Sequence, residues 1–234
     1  MSIHTLEIIH DILSLLMIPI SVLFGLWYAP TYGYSRTKGA SYALAMIVLI
    51  IIVTQMWYMI LGQFIPDWGK DSYVPFLFVP LFAWAVRRMW KIPILHGIDF
   101  VTPIIFFSRA VALIGSNILG CARAVPCAWG IYSPNLGYTA FPMDLIEMLG
   151  HFTAAIVALI YARKLKYNGY GRIFALSMYI TGFVRLFIQL GSMSYWWIRG
   201  INEKSVYSIV AIMMAIVIYR ISNSDNKIRK WRSK

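Results

Sequence analysis

The chain has 234 residues, of which 60% are hydrophobic and 13% are charged, and its formal net charge is +12. Soluble domains contain about 45–50% apolar and about 25% charged residues, so this composition excludes a water-soluble enzyme. At about 20 apolar residues per transmembrane helix, the chain is long enough for one membrane bundle and leaves no room for a separate soluble domain.

Seven apolar segments follow one another along the chain, and each is predicted to be a transmembrane helix. They cover residues 12–28, 40–61, 74–86, 100–119, 145–162, 173–190 and 206–219. The third and the seventh are short and need tilt or interfacial flanks to cross a bilayer. The sequence therefore predicts an all-α integral membrane protein, with seven transmembrane helices in a single domain over residues 1–234.

Lys and Arg are distributed unevenly between the two sides of this bundle. The connections after the first, third and fifth segments, together with the C-terminal tail, contain fifteen of these residues, whereas the remaining connections contain four. Because basic loops stay in the cytoplasm, we expect the N-terminus outside and the C-terminus in the cytoplasm. The basic residues are expected to contact anionic lipid headgroups, and no nucleic acid is expected as a partner because no basic face with groove-reading residues can be drawn.

Polar side chains in or beside the apolar segments mark a candidate site, because such groups are costly at membrane depth. These residues are Arg109, Asn117, Asp144, Glu147, His151, Arg185 and Gln189. The spacing of Asp144, Glu147 and His151 places them on one helix face. We expect a polar cavity that is lined by guanidinium and carboxylate groups and opens outward or sideways. The alternative is that Arg185 and Glu147 form a buried pair that only holds two helices together.

The connection between the fourth and fifth segments, residues 120–142, is long and rich in Gly, Pro and aromatic residues. Long loops are usually functional or disordered, and the aromatic content here favours an ordered external lid. The loop contains Cys121 and Cys127, which are compatible with either a disulfide or two thiols. No Cys/His set of the kind that holds zinc occurs, so no metal is expected.

Four stretches of the second half resemble motifs of the bacterial prolipoprotein diacylglyceryl transferases. Two of them are HGIDFVTP, which resembles the family's Asp-x-x-x-Pro motif, and IGSNILGCARAVPCAWGI, which resembles its Gly- and Asn-containing segment and Trp-Gly turn. A third is FPMDLIEML, which resembles His-Pro-x-x-Leu-Tyr-Glu and has Glu147 at the Glu position. The fourth is GRIFALSMYITGFVRLFIQL, which resembles the penultimate-helix motif and has Arg185 at its Arg and Gln189 at its Glu. Leu113 stands at the position of a further family Arg, one helical turn after Arg109.

The resemblance implies a multi-pass transferase of the bacterial cytoplasmic membrane. Such an enzyme moves a diacylglyceryl group from phosphatidylglycerol, or another anionic phospholipid, to the cysteine thiol of a lipoprotein precursor, and no cofactor is expected. One alternative is a membrane binding protein that retains the fold without catalysis, and Leu113 favours it. Another is a transporter, which predicts repeat symmetry or broken helices in matched halves, and the sequence contains neither.

The implied reaction assigns roles to the candidate residues. Arg185 would hold the phosphate, with Arg109 or Arg123 supplying a second guanidinium. Glu147 and His151 are the candidates for the base that accepts the thiol proton. The other polar residues are expected to contact substrate; they are Asn117, Asp144 and Gln189.

Overall fold

A computed structural model describes residues 3–64, 73–121, 124–165, 170–191 and 203–232. The α-helices α1 to α9 in these ranges are Ile3–Leu15, Met17–Tyr28, Arg36–Phe64, Val74–Leu77, Val79–Trp90, Ile94–Leu119, Met143–Leu165, Arg172–Ile188 and Glu203–Arg232. Two short 3-10 helices, Ala29–Tyr32 and Gln189–Gly191, follow α2 and α8. Strands β1 (Pro126–Ser133) and β2 (Tyr138–Ala140) form an antiparallel hairpin.

In the described part of the chain, five helical segments are long and apolar enough to cross a membrane, so the protein is a helical multi-pass membrane protein. These segments are Ile3–Tyr32, Arg36–Trp57, Ile94–Leu119, Met143–Arg163 and Ser205–Asn223. They coincide with the first, second, fourth, fifth and seventh predicted spans. The first begins well before its predicted start, because polar residues at the beginning of α1 lower the local hydropathy without interrupting the helix.

The other two predicted spans correspond to shorter helices. The third is divided between α4 and α5 at Phe78, and each of these helices has a proline in its first turn. Proline is favoured at a helix start and disfavoured in a helix interior, so Pro75 and Pro80 favour two helices over one. The sixth corresponds to α8, which has 17 residues.

Helix α6 is the centre of the bundle. In its most apolar window 78% of the residues are buried, against 22–39% in the other candidate spans. It packs against α1, α2, α5, α7 and α8. Many of its own apolar side chains are fully buried, among them Ile98, Phe100, Ile104, Ile105 and Phe106. Residues carried by α6 are therefore held in position from several sides.

A buried carboxylate joins the beginning of α6 to the beginning of α8. Asp99 is 2% exposed and accepts hydrogen bonds from the backbone N–H groups of Gly171 (2.6 Å) and Phe174 (2.9 Å). The first N–H groups of a helix lack partners within the helix, and here an acceptor on another helix satisfies them. Gly171 has a φ of +87°, which glycine adopts without strain. This contact determines where α8 begins.

The β1–β2 hairpin lies within the predicted lid over residues 120–142. The Ser133 hydroxyl donates to the carbonyl of Gly120 at the end of α6 (3.2 Å), and the backbone N–H of Val125 donates to the carbonyl of Gly191 beyond α8 (3.0 Å). The hairpin is thus tied to two helices, and it is a small β element that the all-α prediction did not include. Cys121 is exposed and Cys127 is partly buried.

Candidate functional site

Two arginines from neighbouring helices converge on a single carboxylate of α7. Arg185, in the last turn of α8, donates from Nη1 to Oε1 of Glu147 at 2.6 Å. The Nη2 atom of Arg109, on α6, lies 3.9 Å from the same oxygen. The side chains of Arg185, Glu147 and Arg109 are only 4%, 11% and 15% exposed. We call these three residues the arginine cluster; it contains two guanidinium groups and one carboxylate, and the carboxylate of Asp144 lines the same cavity.

An aromatic ring holds Arg185 from the other side. The guanidinium of Arg185 lies 4.4 Å from the centre of the Tyr73 ring, which is within cation–π range. The hydroxyl of Tyr73 is hydrogen-bonded to that of Thr181, one helical turn before Arg185 (3.1 Å). The sequence analysis missed Tyr73 because it lies between apolar segments, where no spacing relates it to α8.

His151 lies behind Glu147, one turn further along α7. Its Nε2 atom is 3.5 Å from Oε1 of Glu147, and the residue is 1% exposed. Its ring packs against Phe106, Phe76 and Tyr73 at centroid distances of 5.4, 5.7 and 6.3 Å. His151 does not line the cavity described below. It therefore reaches a bound molecule only through Glu147, and its predicted role as a base in direct contact with substrate is not favoured.

A cavity of about 580 Å³ lies over the arginine cluster. This volume is within the range of about 300–1,000 Å³ that is usual for small-molecule sites. Five of the predicted site residues line it together: Arg109, Asp144, Glu147, Arg185 and Gln189. Asn117 does not line it, and Arg123 lies outside the described residues. Leu113 contributes an apolar surface to the wall.

Helix α1 supplies a wall that the sequence analysis did not include. Glu7, His10, Asp11 and Ser14 line the cavity. The side chains of Glu7 and Asp11 are 56% and 77% exposed, so these carboxylates lie at the open rim, whereas the arginine cluster lies at the buried floor. The sequence contains this pattern, because the four residues are spaced by three or four and therefore share one face of a helix. The first predicted span begins at residue 12 and therefore leaves out Glu7, His10 and Asp11.

This geometry is suited to holding an anion. Two guanidinium groups offer several parallel N–H donors to a phosphate or carboxylate, and burial strengthens such charge-assisted hydrogen bonds. An anion that takes over the bond of Arg185 would leave the Glu147 carboxylate able to accept a proton. In the described part of the chain, no group of three or more His, Cys, Asp or Glu residues is arranged to hold a metal ion.

Two comparisons with known proteins found no match. The sequence matches no protein-family profile and no curated protein.

Proposed function

We propose that the chain is a membrane transferase that moves a diacylglyceryl group from phosphatidylglycerol, or a related anionic phospholipid, to a cysteine thiol. The observation that supports this most is the convergence of Arg109 and Arg185 on Glu147 at the floor of a cavity of about 580 Å³. A buried pair of guanidinium groups beneath an open volume is what a lipid phosphate requires. The motif resemblance supplies the reaction type.

The proposed chemistry is a displacement at a glycerol carbon of the lipid. The thiolate sulfur forms a bond to this carbon, the carbon–oxygen bond to the phosphate breaks, and glycerol phosphate leaves with the electron pair. Negative charge grows on the leaving oxygen, where Arg185 and Arg109 stabilise it. Glu147 accepts the thiol proton once the phosphate has taken over its bond to Arg185. His151 orients Glu147 from behind and is a positioning residue.

The proposal includes the full topology of the bundle. Seven spans, with α4–α5 and α8 as the two short ones, place the N-terminus outside and the C-terminus in the cytoplasm. In this orientation the hairpin and the cavity lie toward the outer face, where a secreted acceptor becomes available. The membrane in question is the bacterial cytoplasmic membrane.

A second candidate is a protein that binds an anionic lipid without turning it over. The observation that favours it is Leu113, which lines the cavity at the position of a family Arg. An apolar side chain there supplies no charge to a leaving group.

The deciding experiment uses the purified full chain in nanodiscs that contain phosphatidylglycerol with an isotope label in its diacylglyceryl part. A cysteine-containing peptide is added, and the thioether product is sought by mass spectrometry. Arg185→Gln should slow transfer by about two to four orders of magnitude, and Arg185→Lys should lose most of the activity. Arg163→Gln is the matched control, because Arg163 is exposed and does not line the cavity.

Two results would contradict the proposed transferase activity. Unchanged transfer by a folded Arg185→Gln protein would remove the central residue from the mechanism. Phosphatidylglycerol that is retained by the wild-type chain without thioether formation would favour the binding protein instead.

A further inference from the structure

A second cavity, of about 600 Å³, lies between α7, α8 and α9. It shares no lining residue with the cavity over the arginine cluster. Its polar lining comes from Arg172 at the start of α8 and from Arg220 and Asn223 on α9. None of these residues has a role in the proposed transfer reaction.

The polar part of this second cavity lies where membrane-spanning segments end. The apolar stretches of α7 and α9 give way to polar, basic sequence after Ala162 and Tyr219, and Arg172 is the first residue of α8. The Nη2 atom of Arg172 donates to Oδ1 of Asn223 at 2.6 Å, which fixes α8 and α9 at the same level. The polar groups therefore lie at the depth of the lipid headgroups.

The charge of the second cavity is positive. Arg172 and Arg220 line it, and its lining within the described residues contains no Asp or Glu. The guanidinium of Arg172 also lies 5.8 Å from the centre of the Tyr219 ring, and its Nε atom is buried without a hydrogen-bond partner among the described residues. Two guanidinium groups that line a cavity without a carboxylate are suited to an anionic ligand.

Below this polar level the lining becomes apolar along both helices. On α8, Leu176 and Tyr179 follow Arg172 at spacings of four and seven residues and so share its face. On α9, Ile216 precedes Asn223 by seven residues. The three side chains are 36%, 43% and 46% exposed. A free inorganic anion gains nothing from contact with these apolar side chains, whereas an acyl chain packs favourably along them.

We propose that this second cavity is a binding site for an anionic phospholipid, with the phosphate between Arg172 and Arg220 and an acyl chain along Leu176 and Ile216. Basic pockets between transmembrane helices bind anionic headgroups in this way. The site is independent of the proposed transferase activity, and its lipid occupies the leaflet that contacts the start of α8.

The test uses the full chain in phosphatidylcholine nanodiscs with a low fraction of phosphatidylglycerol that carries a photoreactive diazirine on one acyl chain. After irradiation, labelled positions are mapped by peptide mass spectrometry. Labels are expected between Arg172 and Tyr179 and between Ile216 and Asn223. A phosphatidylcholine probe with the same diazirine should label these positions much less.

Substitutions of the two arginines should reduce this local labelling. With the probe below saturation, Arg220→Gln should lower it about fivefold, and Arg172→Gln with Arg220→Gln about thirtyfold. Arg220 is exposed, so its single variant tests the proposal without disturbing the fold. Arg163→Gln at the end of α7 is the matched control and should leave labelling unchanged.

Three results would overturn the proposal. They are equal labelling by the phosphatidylcholine probe, unchanged labelling in the folded double variant, and loss of labelling when inorganic phosphate is added in excess. The last would identify a free-anion site.

Discussion

The Asp99 carboxylate on α6 lies 2.9 Å from the backbone nitrogen of Phe174 in the first turn of α8. It also accepts the N–H of Gly171. Helix α8 carries Arg185 in its last turn, about 20 Å further along at about 1.5 Å per residue. A residue distant from the arginine cluster therefore helps to set the position of one of its members.

Asp99→Ala should lower the free energy of unfolding by about 2–4 kcal/mol, because two buried N–H groups lose their side-chain acceptor. Asp99→Asn should cost less, since the amide oxygen retains one acceptor position. Chemical unfolding in detergent micelles measures both. Asp11→Asn, at an exposed position, is the control and should leave stability unchanged; equal stability of Asp99→Ala and the wild type would contradict the prediction.

Replacing Glu147 should destabilise the protein more than replacing Arg185. Glu147→Gln leaves two buried guanidinium groups facing each other and should cost about 3–5 kcal/mol. Arg185→Gln should cost less, because Arg109 remains 3.9 Å from Glu147. A double-mutant cycle in the same unfolding assay gives the coupling between the two positions. A larger loss for Arg185→Gln than for Glu147→Gln would mean that Arg109 does not compensate.

Two substitutions of His151 should distinguish its contribution to packing from its role in orienting Glu147. His151→Phe should preserve the melting temperature, because three aromatic rings surround the site. His151→Ala should cost about 3–5 kcal/mol, as truncation of a buried aromatic residue does. In the transfer assay, His151→Phe should lower kcat and leave KM for the lipid unchanged, because His151 does not line the cavity. An increase in KM alone would show that it contacts the lipid.

The charge asymmetry of the connections predicts the orientation of the bundle. In a background of Cys121→Ser and Cys127→Ser, a cysteine at Asn135 in the hairpin should react with an impermeant reagent in intact cells. A cysteine at Ser35 should react only after the membrane is opened. Both residues are exposed in the structure, so accessibility does not bias the comparison. The reverse labelling would contradict the expected topology.

The arrangement of the site could be predicted in part, because membrane depth restricts where charges are tolerated. Arg109, Glu147 and Arg185 were selected as rare ionisable groups in apolar helices, and the structure brings them together. No spacing in the sequence predicts that these three side chains meet, because each lies on a different helix.

Other features were not predictable because they depend on contacts between distant parts of the chain. Tyr73, immediately before α4, contacts Arg185 and Thr181 of α8, which are more than a hundred residues later in the chain. Helix α1 was shortened in the prediction because the hydropathy criterion penalises the same polar residues that line the cavity. The third predicted span is divided into α4 and α5 at Phe78, in the middle of a continuous apolar stretch. Hydropathy alone predicts one helix there, and only Pro75 and Pro80 indicate two.

Helices α6 and α8 are joined at two levels, by Asp99 near one end and by the arginine cluster near the other, where α7 is joined to both. Spreading α6 and α8 apart therefore breaks buried hydrogen bonds at one level and buried ion pairs at the other. Helix α1 is attached differently, since it packs on α6 at Gly115. Leu16 keeps helical dihedral angles, and its N–H and C=O groups bond to Ile12 and Ile20, so α1 and α2 continue as one membrane-spanning segment. In the proposed reaction, a lipid would reach the arginine cluster sideways from the bilayer, with its acyl chains remaining in hydrocarbon throughout.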